Sequence, residues 1–127
     1  MKTVRFVEGL MDSDHTQFIG QTDGHELKIG IVVSRFNQYV TSRMLSTALE
    51  ALSKLQVPKT NITIVHVPGA FELPGAARKL AGMSDIDSVI CLGVIIRGDT
   101  AHFEYISYAA SIGIERAAAD TGKPVIF

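Results

Sequence analysis

Four short runs rich in β-branched apolar residues punctuate this chain: LKIGIVV from Leu27, ITIVHV from Ile62, SVICLGVII from Ser88 and VIF from Val125. Their brevity and their valine and isoleucine content favour strands over helices. Between them, apolar residues recur at three- and four-residue spacing. Met44, Leu45, Ala48, Leu49, Leu52 and Leu55 form one such set, Ile106, Ala109, Ala110, Ile112, Gly113 and Ala117 another, and each falls on one face of a helix. Pro68 to Met83 (PGAFELPGAARKLAGM) reads as a turn entering a short alanine-rich helix, while Pro58 closes the helix before it. Strand and helix in alternation predict an α/β fold, a parallel sheet wound on both faces into a three-layer α/β/α sandwich with right-handed crossovers. The continuous apolar character of Leu27 to Val33 suits a strand buried on both faces of such a sheet.

At 127 residues the chain is the size of one domain, able to bury about two-thirds of its unfolded surface. Residues 1–26 are polar and weakly patterned, with only Thr3 to Val7 (TVRFV) alternating like a strand, so they are expected to form an N-terminal arm, with the domain spanning 27–127. A net charge of -1 offers no electrostatic footprint for nucleic acid or a membrane surface. No apolar run approaches the roughly 20 residues that span a bilayer, and Met1 to Met11 carries charges where a signal peptide is apolar, so a cytoplasmic location is expected. Cys91, the single cysteine, excludes a disulfide within the chain and reads as a small buried core residue.

In parallel sheets of this kind ligands bind outside the carboxyl ends of the strands, which directs attention to three loops. After the first strand, Phe36 either stacks on a flat heterocycle or packs under its own helix, and Ser34 and Asn37 are candidate helix caps. In the second loop (VPGAFELPG, 67–75), Pro74 fits the first turn of a helix. Glu72 there either accepts hydrogen bonds from a polyol or amine, or only complements the helix dipole. In the third loop (IIRGDTAHFEYI, 95–106), Gly98 permits close approach, and the amides of Asp99 and Thr100 with the Thr100 hydroxyl can converge on an anion such as phosphate. The Asp99 carboxylate must then point elsewhere. Arg97 is either a phosphate clamp or a structural ion-pair partner at the strand end.

His102 follows directly. A histidine side chain ordinarily titrates at about 6.5, which makes it a natural proton carrier in such a site, although a structural role is the alternative. His15, His25 and His66 have no partner at metal-ligand spacing, so no metal site is expected. The signatures GxGxxG, GxxxxGK[ST] and GxSxG are all missing, which leaves dinucleotide binding, a nucleotidase phosphate loop and serine hydrolysis without their usual marks.

Taken together, IGIVVSRFN (29–37), VPGAFELP (67–74), LGVIIRGDTAHFEYI (92–106) and PVIF (124–127) resemble the 6,7-dimethyl-8-ribityllumazine synthase family, in order and at compatible spacing. The resemblance implies a flavodoxin-like fold. It also implies a cofactor-independent condensation of 5-amino-6-(D-ribitylamino)uracil with 3,4-dihydroxy-2-butanone 4-phosphate, the penultimate step of riboflavin biosynthesis. Carried over by position, Phe36 would stack on the pyrimidine, Ala70, Phe71 and Glu72 would line the ribityl and ring site, and Val94, Ile95 and Ile96 would offer backbone contacts. Gly98, Asp99 and Thr100 would hold the phosphate and His102 would move protons. Phe127 would reach the pyrimidine bound to a neighbouring subunit. The resemblance further implies a homo-oligomer, a pentamer that some members build into a 60-subunit shell, in some cases associated with riboflavin synthase. The arm strand would then add to a neighbour's sheet.

One departure stands out. The family continues past the position of Phe127 into a helix carrying a phosphate-binding arginine and a lysine near the pyrimidine. The expectation is therefore a C-terminally shortened form, or a flank covered by a neighbour, and Arg97 recedes as the clamp because the family's arginine lies further on. The competing function is a non-catalytic pteridine- or flavin-binding, or shell-forming, module of the same fold. A receiver domain lacks its acidic cluster here, where Ser34 and Arg35 stand, and a flavodoxin lacks its phosphate loop at the same place.

Overall fold

The computed structural model describes residues 19–127; the strand expected at Thr3 to Val7 lies outside the described residues. The chain runs β1 (Ile29–Ser34), α1 (Gln38–Lys54), β2 (Ile62–Val67), α2 (Leu73–Ala81), β3 (Ser88–Leu92), α3 (His102–Thr121) and β4 (Val125–Ile126), with 3-10 turns at Lys59–Asn61 and Ala70–Glu72. The four strands of the described residues are parallel, in the order β2-β1-β3-β4. The chain therefore winds outward from β1 to β2, then returns past β1 to β3 and β4. That reversal puts a crevice at the carboxyl ends of β1 and β3.

All six residues of β1 are buried, which is why its sequence is continuously apolar rather than alternating. Ile29 and Ile31 face Leu45, Leu49 and Leu52 of α1, together with Val57. Val32 points the other way and, with Val89 and Cys91 of β3, packs on Leu73, Ala77, Leu80 and Ala81 of α2 and Ile114 of α3. The sheet thus separates two apolar layers and the three-layer sandwich is present. Burying each large aliphatic side chain in these layers contributes about 1.5–3 kcal/mol.

The close fit of α2 on α3 depends on small residues. Ala110, Ile114 and Ala117 are the buried positions of α3, and a Cβ at Gly113 would stand 2.6 Å from the Pro74 Cβ. Pro74 itself sits in the first turn of α2, where a missing amide proton costs no helix hydrogen bond. The α1 stripe ends at Lys54, and Gln56 takes a left-handed φ of 65° before Pro58.

Two expectations are corrected. The run from Ser88 to Ile96 is not one strand: pairing with β1 ends at Leu92, and β4 is only two residues long, so Gly93 to Ile96 leave the sheet unsupported by a ladder. Asn37 occupies the N-cap of α1 in a left-handed conformation (φ 51°), but no side chain caps that helix, and Ser34 ends β1 instead.

Cys91 lies in the inner layer, 2 % exposed, and burial pushes its thiol from an ordinary 9.0 up to about 12. The folded chain holds this proton more tightly than the unfolded chain does. The corresponding stability is complete below about pH 9 and is lost as pH rises toward about 12. A disulfide reagent such as 5,5′-dithiobis(2-nitrobenzoate) is expected to react at pH 8 only at the rate of unfolding, and fully in 6 M guanidinium; immediate stoichiometric reaction in buffer would contradict this burial.

Candidate functional site

A cavity of about 410 Å³ opens at the carboxyl edge of the sheet, within the range of small-ligand sites. Three connections wall it. The first follows β1, where the amides of Arg35 and Phe36 donate to the Val67 and Pro68 carbonyls at 2.8 and 2.9 Å. This extension of the β1–β2 pairing carries Phe36 past the end of the sheet. The ring is 54 % exposed and borders the cavity, so it does not pack beneath its own helix.

The second wall follows β2. Ala70 is buried, Phe71 is 61 % exposed and Glu72 ends the 3-10 turn. One carboxylate oxygen of Glu72 (Oε2) accepts the Gly69 amide at 2.9 Å, while the Glu72 amide donates back to the Gly69 carbonyl at 3.2 Å. This reciprocal pair fixes the acid at the rim with its other oxygen, Oε1, making no protein hydrogen bond among the described residues. The dipole role and the ligand role are therefore compatible: one oxygen closes the turn, the other remains an acceptor.

The third wall is the extended segment after β3. Gly93 is where it must bend close over the second loop. A Cβ there would lie 2.7 Å from the Leu73 Cδ1 and 3.5 Å from the Ala70 Cβ, closer than side chains approach in the first case. Val94, Ile95 and Ile96 then line the cavity with Gly98 and Thr100, and α3 begins at His102. No side chain caps the N-terminus of α3; the Glu104 amide donates to the Ala101 carbonyl at 3.0 Å, and the helix-start amides ahead of it are donors close in the chain to Thr100. His102, exposed and at the first position of the helix, completes this wall.

The structure thus brings Phe36, Ala70, Phe71, Glu72, Val94, Ile95, Ile96, Gly98, Thr100 and His102 around one space. Asp99 and Phe127 do not line it. Phe127 is 53 % exposed beyond β4, on the far side of β3 from β2. Pro68, Gly69, Phe103 and Ile106 line the cavity without having been singled out as site residues. For Ile106 the sequence does hold a signal, since it stands one helical turn after His102; its place in the helix stripe concealed its second contact.

Beneath the floor lies Ser34, 1 % exposed, whose hydroxyl has no hydrogen-bond partner among the described residues. A Cβ at Gly93 would lie 3.4 Å from that oxygen. The strand-end ion pair considered for Arg97 is not formed among the described residues; its guanidinium instead lies over the Phe103 ring, 5.5 Å from the centroid.

Chemically, the cavity offers an exposed aromatic face, a fixed carboxylate oxygen, main-chain groups of an extended segment, helix-start amides with a hydroxyl, and one imidazole. That set suits a planar polar heterocycle bearing hydroxyls, with an anion at the opposite end. Comparison with known families agrees in extent as well as in chemistry: the model of the 6,7-dimethyl-8-ribityllumazine synthase family matches residues 26–127, which takes in every strand and helix of the described residues and all three cavity walls. An all-parallel sheet flanked by helices, with the flavodoxin-like order of its first strands, is the architecture that the match requires. The chain therefore belongs to the 6,7-dimethyl-8-ribityllumazine synthase family, a family of riboflavin biosynthesis.

Proposed function

We propose that this chain condenses 5-amino-6-(D-ribitylamino)uracil with 3,4-dihydroxy-2-butanone 4-phosphate to 6,7-dimethyl-8-ribityllumazine, releasing phosphate and two waters. The observation that carries the reading is the convergence of Phe36, Glu72, Gly98, Thr100 and His102 on one cavity from three separate loops. Phe36 stacks on the pyrimidine, and its exposed ring supports that role. The free oxygen of Glu72 accepts ribityl hydroxyls, and the main chain of Val94 to Ile96 pairs with the ring edge.

The phosphate sits against Gly98, the Asp99 amide and Thr100. The 5-amino group attacks the ketone carbonyl, and loss of water gives an imine. Removal of a carbon-bound proton then expels phosphate, and attack of the ribitylamino nitrogen on the remaining carbonyl, with loss of the second water, closes the ring. His102 carries protons in these steps, being the one imidazole on the wall among the described residues, next to the phosphate end. The chemistry needs no cofactor.

Mixing both substrates and following lumazine absorbance tests the reaction, with the uncatalysed condensation subtracted. A rate no greater than that background would sink the reading, and ligand binding without turnover would make the chain a binding module of the same fold. Phe71, Ile96 and Phe127 each leave more than half their surface exposed at or near the sheet's carboxyl edge. That exposure supports assembly into a pentamer in which Phe127 serves a neighbour's site. Sedimentation velocity is expected to give five times the 13.7 kDa chain mass, or a multiple of that; a monomer at micromolar concentration would contradict the assembly.

A further inference from the structure

The residues around the cavity divide into a rim and a floor. Phe36, Phe71 and Ile96 leave more than half their surface exposed and can give way to a ligand, whereas Ala70 is buried. Ile95 and Ile106 line the same space half-buried, with their far sides packed against the core cluster that holds Leu73, Ala77 and Ile114. A close-packed interior does not yield as a rim does, so this deep end keeps its shape, and the side chains of Ala70, Ile95 and Ile106 carry no polar atom. Ile106 stands one helical turn beyond His102 and shares its face of α3, while Gly98 and Thr100 lie on the other side of His102 along the chain. In the proposed reaction the ketone carbon bears two groups. The phosphorylated one runs toward Gly98 and Thr100. The other, a methyl group, is then directed along α3 onto Ile106. Ketose phosphates ordinarily carry a hydroxymethyl group at that position. Burying its hydroxyl against Ile106 and Ala70 would leave it without a partner, the costly case for a polar group.

We propose that Ile106 makes this site selective for a methyl ketone phosphate over the corresponding hydroxymethyl ketone phosphate. This role rests on the reaction proposed above and adds the class of substrate that the floor rejects. An apolar wall discriminates against one added hydroxyl by roughly 10², far less than a wall built to hydrogen-bond its ligand achieves.

The substrates to compare are 3,4-dihydroxy-2-butanone 4-phosphate and 1,3,4-trihydroxy-2-butanone 4-phosphate, each with 5-amino-6-(D-ribitylamino)uracil. The second loses phosphate and two waters by the same steps and gives the lumazine with a hydroxymethyl group in place of one methyl. With the uncatalysed rates subtracted, wild type is expected to favour the methyl ketone by roughly 10 to 10² in kcat/KM. Ile106→Val and Ile106→Thr have one shape between them and differ only in a hydroxyl. That hydroxyl can donate to the His102 carbonyl four residues back, as Ser107 donates to the Phe103 carbonyl at 2.7 Å, and still accept from the ligand. Ile106→Thr should therefore narrow the preference about fivefold more than Ile106→Val. A ratio of this kind is independent of how much of each variant is folded. A wild-type preference below about threefold, or equal ratios in the two variants, overturns the selectivity of Ile106. Fluorescence titration of the two product lumazines reads the same preference without turnover. Tighter binding of the dimethyl compound that weakens in Ile106→Thr, in a chain that forms neither product, would leave this role standing and refute the proposed reaction; no preference in either assay overturns both.

Discussion

Replacing His102 with alanine is expected to lower kcat for lumazine formation by about 10² to 10⁴-fold, the usual contribution of a positioned proton carrier. The proposed sequence of imine formation, phosphate loss and ring closure moves a proton at every stage, and the other cavity-facing groups are poorly suited to it. Glu72 has one oxygen committed to the Gly69 amide, and Thr100 is a hydroxyl that does not titrate near neutrality. His102 is exposed at the first position of α3, so its loss should change folding stability by less than about 0.5 kcal/mol. An intact urea midpoint with collapsed turnover is therefore the expected pair of results. A kcat within threefold of wild type would remove His102 from the mechanism and leave binding and orientation to explain the rate.

The second large effect is structural. Gly113→Ala places a Cβ 2.6 Å from the Pro74 Cβ and 2.7 Å from its Cγ, against a rigid ring that cannot rotate away. Overpacking of this kind costs about 1–3 kcal/mol, whereas alanine in place of glycine inside a helix recovers about 1 kcal/mol. The clash is expected to win, by about 1–2 kcal/mol in urea unfolding, and Gly113→Val should lose more because its side chain is larger and branched. The same displacement carries the start of α3 away from the second loop, so substrate KM values should rise alongside the stability loss. An unchanged urea midpoint for both variants would show that α2 and α3 slide apart freely.

How legible this protein is from its sequence depends on the range of the interaction concerned. Ile29 to Val33 could be read as a doubly buried strand because its composition repeats what both neighbouring layers demand. The stripe from Leu45 to Leu52 could be read as a helix because 3.6-residue periodicity is local. The grouping of Phe36, Glu72 and His102 was legible as a consequence of topology, since parallel strands deliver their following loops to one edge. Three things escaped. The run Ser88 to Ile96 looks like one strand because its apolarity is unbroken, yet its pairing with β1 stops at Val33 opposite Leu92, and the chain then turns over the second loop at Gly93. Phe103 looks like any helix residue until Arg97 is found lying over it. Asn37 has the side chain of a cap and the position of one, but its left-handed backbone leaves α1 without a side-chain cap.

The sequence by itself determined the order of strands and helices, the burial of the first strand and the chemical inventory of three loops, because these follow from residue periodicity and side-chain type. Only the tertiary structure decided where β3 stops, that Phe36 faces the cavity rather than its own helix, that Glu72 commits one oxygen to its turn and leaves the other without a protein hydrogen bond among the described residues, and that Arg97 rests on Phe103 instead of a carboxylate. Each of these is a contact between segments distant in the chain or on opposite sides of a bend, and such contacts are set by how whole layers pack.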